Sequence, residues 1–139
     1  MKDFRQITWD LRLEDDCRQL IRLAVREDLD RVYDWTTVAL VGETAQGQAT
    51  VAARTAGVVA GLPAAKLVLE EYDPRISWTP LAADGQAVAA GQPLATLAGA
   101  ARSLLAAERP LLNLLGHLCG IATLTAQYVA AVAGTRARI

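Results

Sequence analysis

Histidine occurs once in this 139-residue chain, cysteine twice and lysine twice, and neither sign of charge is in excess. Each scarcity excludes something. Lys+Arg of 14 against Asp+Glu of 15 leaves a formal net charge of −1, too little positive field for a nucleic-acid backbone to be the main partner. Cys17 and Cys119 lie far apart among apolar neighbours, a spacing that excludes a disulfide framework or a metal knuckle and predicts free, buried thiols. His117 stands between Gly116 and Leu118 without Cys, Asp or Glu at ligand spacing, so no metal site is expected in this chain. The glycines are scattered at turns, and no phosphate-cradling loop of the Walker or dinucleotide type is present. Met1 to Arg5 leads into charged, amphipathic sequence with no apolar signal-type segment, which predicts a cytoplasmic chain without secretory leader or anchor. The most membrane-like run, Leu104 to Ala133, contains Glu108, Arg109, Asn113, His117 and Gln127. These would lie at costly depth in a bilayer, so the run is expected to be a soluble core helix with no membrane partner.

What is present organises into one domain, the length being typical of one. Leu13, Cys17, Leu20, Ile21 and Ala24 recur at helical spacing and predict an amphipathic helix over 13–29, with Glu14, Arg18, Arg22 and Arg26 on a solvated far face. Asp34 precedes Trp35-Thr36-Thr37 as a turn or cap residue. A β-rich part follows over 44–99: Gly47 to Arg54 alternates like a half-covered strand, and Thr55-Ala56-Gly57 turns it into Val58-Val59-Ala60. Pro63 opens a helix over 63–72, which Asp73-Pro74 ends. Short strands then alternate with turns at Asp84-Gly85 and Ala90-Gly91. The string from Asp84 to Leu94 resembles the hairpin of biotinyl and lipoyl carrier domains, but the lysines are Lys2 and Lys66, neither at such a tip, so a swinging-arm role is not expected. Helices fill 101–133, with Leu111, Leu114, Leu115 and Leu118 on one stripe, a kink or restart at Pro110 and a cap at Gly134. No internal repeat is visible.

No catalytic constellation stands complete, and no catalytic residue is assigned. The acidic pairs Asp15-Asp16, Glu27-Asp28 and Glu70-Glu71 fall at helix ends or on polar faces and need no chemistry to explain them. Arg109 does need explaining. A guanidinium is always charged, so its place beside an apolar helical run is costly unless an anion meets it. Residue chemistry leaves two readings open, an ion pair with Glu108 or a bound anionic ligand.

Several blocks taken together carry a resemblance: Arg26-Glu27-Asp28-Leu29, Asp34-Trp35-Thr36-Thr37, the run Ala53 to Gly61, Asp84-Gly85, Gly91, Glu108-Arg109-Pro110-Leu111-Leu112-Asn113 and Gly120-Ile121-Ala122-Thr123. In this register they are similar to quinolinate phosphoribosyltransferase, over about Leu13 to Ile139. The resemblance implies an α+β fold, an amino-terminal α/β sandwich of barrel-sandwich-like β elements packed with helices. Residues 1–139 would then be this domain, with the family's carboxy-terminal α/β barrel absent. It further implies an enzyme that converts quinolinate and phosphoribosyl pyrophosphate to nicotinate mononucleotide, carbon dioxide and pyrophosphate with Mg2+, in de novo NAD synthesis. The family works as a homodimer or higher homo-oligomer in which the amino-terminal domain of one subunit covers the barrel mouth of the other. By this resemblance Arg109 binds a quinolinate carboxylate in the partner subunit's site. This chain itself would bind no metal and be inactive alone, because family members continue beyond the segment matching Gly134 to Ile139 into an Asp-Thr-Arg-Lys-Thr motif and the barrel. Asp30-Arg31-Val32-Tyr33 departs from the family's Gly-rich approach to Asp34 and predicts a remodelled loop. A non-catalytic dimerisation or regulatory fragment, and the related molybdenum-utilisation branch, are the alternatives.

Overall fold

The structure, a computed structural model, describes residues 8–29 and 35–139. The departure at Asp30-Arg31-Val32-Tyr33 and the expected cap at Asp34 lie outside the described residues. Helix α1 spans Leu11–Leu29, α2 Trp35–Leu40, α3 Leu62–Tyr72 and α4 Ala101–Ala131; strands are β1 Gln46–Ala52, β2 Gly57–Val58, β3 Ser77–Pro80, β4 Ala87–Val88 and β5 Pro93–Ala100. Both sheets are antiparallel: β5 lies between β1 and β3, and β2 pairs with β4. The fold is therefore α+β, small strands backed by helices.

Helix α3 is the centre of the core. Leu62, Ala64, Ala65, Leu67, Val68 and Leu69 are all buried, most of the helix surface being apolar and only Lys66, Glu70 and Glu71 left for its polar side. It packs between α1 and α4, and the inner faces of β1 and β5 add Val51, Leu94 and Leu97. Pro63 stands in its first turn, where the missing N–H forfeits no helical bond. Its N-cap, Gly61, is left-handed with φ of 95°, and an added Cβ would run into Leu118 Cδ1. With no side-chain cap from Gly61 itself, the first amides are met from another strand turn: Asp84 accepts from the Gly61 N–H at 2.9 Å and from the Leu62 N–H at 3.0 Å. A carboxylate at a helix N-terminus also suits the helix dipole.

Asp73 closes the other end of α3 and ties it to α4. Its buried carboxylate accepts from Arg75 Nε at 2.8 Å and Nη2 at 3.0 Å, from the Arg75 N–H at 3.0 Å and from Ser103 Oγ at 2.8 Å. The Arg75 guanidinium foremost, then Ser103, holds this carboxyl well below the usual carboxylate range. Arg102, one residue away, donates to the carbonyls of Val41 at 2.9 Å and Val38 at 3.0 Å, satisfying groups at the end of α2.

The structure corrects several expectations. On α1 the inward residues are Leu13, Cys17, Ile21 and Val25, whereas Leu20 is 68% exposed and Ala24 is exposed as well. The face read as solvated reaches α3: Arg18 bonds Glu70 at 2.8 Å as well as Glu14 at 2.9 Å, and Arg22 bonds Glu71 at 3.2 Å. Both cysteines are free but only half-buried, and burial pushes the Cys17 thiol upward. Helix α4 runs unbroken through Pro110 instead of restarting. One lost backbone bond is outweighed because Ala107, Leu111 and Leu115, on one row, are all clamped in the core. Beyond that row α4 is not a core helix of this chain, although by length and composition it is apolar enough to cross a membrane.

An internal repeat of contacts also appears. In one turn Gly85 donates to the Val59 carbonyl, Gln86 N–H to Ala83, Val59 N–H to Gln86, and Gln86 Oε1 accepts from the Ala83 N–H. Six residues on, Gly91 donates to Ala53, Gln92 N–H to Ala89, Ala53 N–H to Gln92, and Gln92 Oε1 accepts from the Ala89 N–H. Both glycines have positive φ, 86° and 80°, which explains why each corner uses Gly.

Candidate functional site

The open side of α4 and the loop joining β1 to β2 enclose a groove of about 710 Å3. Its wall is Ala52 to Val59 and its floor is the α4 face carrying Leu112, Asn113, Gly116, Gly120 and Gln127. The wall is pinned to the helix by Thr123, whose Oγ1 accepts from the Val58 N–H at 2.9 Å and donates to the Cys119 carbonyl at 2.7 Å. Cys119 adds a second tie, its Sγ accepting from the Ala60 N–H at 3.3 Å. Gly57 permits the approach, since a Cβ there would stand 2.7 Å from Thr123 Oγ1. The motif residues Gly57 and Thr123 therefore act on backbone placement.

Arg109 sits on α4 one turn before Asn113 and two turns before Gly116, on the same face but outside the groove itself. It is exposed, and neither it nor the exposed Glu108 makes a hydrogen bond or ion pair among the described residues. The Glu108 pairing left open by residue chemistry is thus not formed. Among the described residues, Arg54 is the only charged one lining the groove, and it is exposed and without a partner there. His117 is exposed, and no group of three His, Cys, Asp or Glu side chains that could hold a metal occurs among the described residues. Arg109 was accessible to sequence reading as a charge out of place. The groove was not, because its walls come from segments some sixty residues apart, and Asn113 carries only the weaker signal of a neutral polar side chain among leucines.

The domain is α+β, and its longest helix turns an open face headed by Arg109 beside the groove, with no complete catalytic set among the described residues. Comparison with known proteins gives the family. Residues 34–119 match the family model described as quinolinate phosphoribosyl transferase, N-terminal domain. The nicotinate-nucleotide pyrophosphorylase (carboxylating) of Mycobacterium leprae is 43% identical over 127 residues, covering 90% of this chain and 45% of that protein. Among solved structures, the nicotinate-nucleotide pyrophosphorylase of Francisella tularensis superposes with a TM-score of 0.84 at 30% identity, over 94% of this chain and 45% of that one. NadC of Streptococcus pyogenes gives 0.82 at 32% identity, over 91% and 44%. The chain belongs to the quinolinate phosphoribosyltransferase family, and it spans less than half the length of these relatives.

Proposed function

We propose that this chain serves as the substrate-capping, dimer-forming amino-terminal domain of a quinolinate phosphoribosyltransferase. The complete enzyme converts quinolinate and phosphoribosyl pyrophosphate to nicotinate mononucleotide, carbon dioxide and pyrophosphate, acts in the cytoplasm, and has no nucleic-acid or membrane partner. Arg109 is the residue through which this domain takes part. The observation that carries the reading is an exposed guanidinium without a counterion among the described residues, held on a helix fixed from behind by Ala107, Leu111 and Leu115. A rigid backbone with an unspent planar fork suits a carboxylate, which it can take bidentately in a water-poor site of the partner subunit. Magnesium belongs, on this reading, to the complete enzyme. Positioning the ribosyl centre requires phosphate and metal groups that one arginine cannot supply, so the chain alone is inactive.

Co-expressing the full chain with the barrel domain of the Mycobacterium leprae relative tests this. Quinolinate-dependent carbon dioxide release should appear in the pair and not in the chain alone. Arg109→Ala should reduce it about thirtyfold or more, the size of losing one partner of a buried charge pair. An unchanged rate in that variant refutes the role, and activity toward a substrate other than quinolinate favours the molybdenum-utilisation branch. Sedimentation of the isolated chain addresses the non-catalytic dimerisation reading, which rests on exposed Leu11, Leu20 and Leu23 of α1 and Ile121 and Leu124 of α4.

A further inference from the structure

Asn113 follows Arg109 by one turn of α4, so their Cβ atoms start about 6 Å apart on one face. Its carboxamide is exposed in the groove and has no hydrogen-bond partner among the described residues. Its neighbours Leu111, Leu112, Leu114 and Leu115 are all apolar. Further along the same face stand Gly116 and Gly120, where an added Cβ would meet nothing within 4 Å. Asn and Gly both weaken a helix relative to Ala or Leu, and no contact among the described residues requires any of the three. The flanks of this face are half-exposed leucines and isoleucine: Leu105, Leu112, Ile121 and Leu124. Any body that covers those side chains also takes Asn113 out of water, and a covered carboxamide without partners is costly. The cover must therefore bring a polar group to Asn113, and it must bring an anion to Arg109 within the same small radius.

We infer that Asn113 is a specificity-determining, substrate-contacting residue: its Nδ2 donates to the second carboxylate of the dicarboxylate whose first carboxylate Arg109 binds. The inference rests on the anion role proposed for Arg109. The division of labour follows from the groups. A guanidinium fork holds one carboxylate but recognises any carboxylate, whereas a neutral amide one turn away adds direction and rewards only a ligand with a second acceptor beside the first. Asn113 thereby separates a pyridine with two adjacent carboxylates from one with a single carboxylate.

The test uses the full chain co-purified with the barrel domain of the mycobacterial relative, with calorimetric binding of quinolinate and of nicotinate as probes. Asn113→Ala should weaken quinolinate about tenfold, the size of one hydrogen bond to a charged group, while nicotinate affinity, the KM for phosphoribosyl pyrophosphate and the thermal midpoint stay unchanged. Asn113→Asp should weaken quinolinate further by like-charge repulsion. Wild-type quinolinate affinity in Asn113→Ala overturns the inference, as does an equal loss for both pyridines, which would mean that Asn113 only shapes the covered face. Lost quinolinate binding in Arg109→Ala with Asn113→Ala unaffected removes this inference and keeps the Arg109 reading. No effect of Arg109→Ala, or no quinolinate binding to the unmutated pair, removes both.

Discussion

The two halves of α4 have the same Leu- and Ala-rich character and opposite fates. From Ala101 to Leu115 the helix lays Ala107, Leu111 and Leu115 into the core, each at most 3% exposed, whereas none of its residues beyond Leu115 is buried. Apolar composition therefore does not decide what is inside; the presence of a facing element does. In the first half, α3 and β5 supply that element. In the second, the small β2 edge, pinned through Thr123, leaves most of the surface open. The buried row fixes the first half in the core, and the residues of low helix propensity, Asn113, Gly116 and Gly120, lie on the open face.

The contrast can be broken most directly at two adjacent leucines. Leu111→Ala should destabilise by about 3 kcal/mol through cavity formation, and Leu112→Ala, 44% exposed, by less than about 1 kcal/mol; urea denaturation reads both, and equal losses would erase the distinction. Next in size is the Asp73 hub, where Asp73→Asn should cost about 2 kcal/mol at neutral pH through weakened charge-assisted bonds. Because this carboxyl is held below its ordinary value when folded, the unfolded chain takes up the proton first as acid is added. Its stabilisation is thus complete above about pH 4 and is lost as pH falls toward the folded value. Thermal midpoints followed into acid should drop more steeply for the parent than for Asp73→Asn, and parallel curves would remove Asp73 as the cause. Asp84→Ala should cost about 1 kcal/mol by uncapping α3, with faster amide exchange at Gly61 and Leu62; unaltered exchange there would assign the cap elsewhere. The smallest effect has the opposite sign. Gly116→Ala and Gly120→Ala should each stabilise the isolated chain by about 0.5–1 kcal/mol, yet lower activity when the chain is paired with a barrel domain, and a stability loss would show that the face is not open.

Much of the fold was legible in the sequence wherever one segment carried its own signal. Pro63 and Asp73 mark the ends of α3, and the leucine row of α4 marks its buried stripe. Legibility failed where the partner lies far along the chain. Arg18 and Arg22 look solvated until Glu70 and Glu71 arrive from α3, and Leu20 looks buried until α3 is seen to take only the Leu13, Cys17, Ile21 and Val25 row. Asp84 and Asp73 read as turn or helix-end residues, though each satisfies backbone or side-chain groups of a different element. The site divides the same way. Arg109 announces itself by mismatch with its neighbours, while the groove needs the β1–β2 loop to be placed against α4 before it exists.

The twin corners at Gly85 and Gly91 give the molecule an internal standard. Both amides donate over the same 2.7 Å to carbonyls six residues apart, so a spectroscopic difference between them reports their surroundings and not their wiring. A partner docking near one corner would move a single resonance of the matched pair, and the undisturbed twin would serve as the reference in the same spectrum.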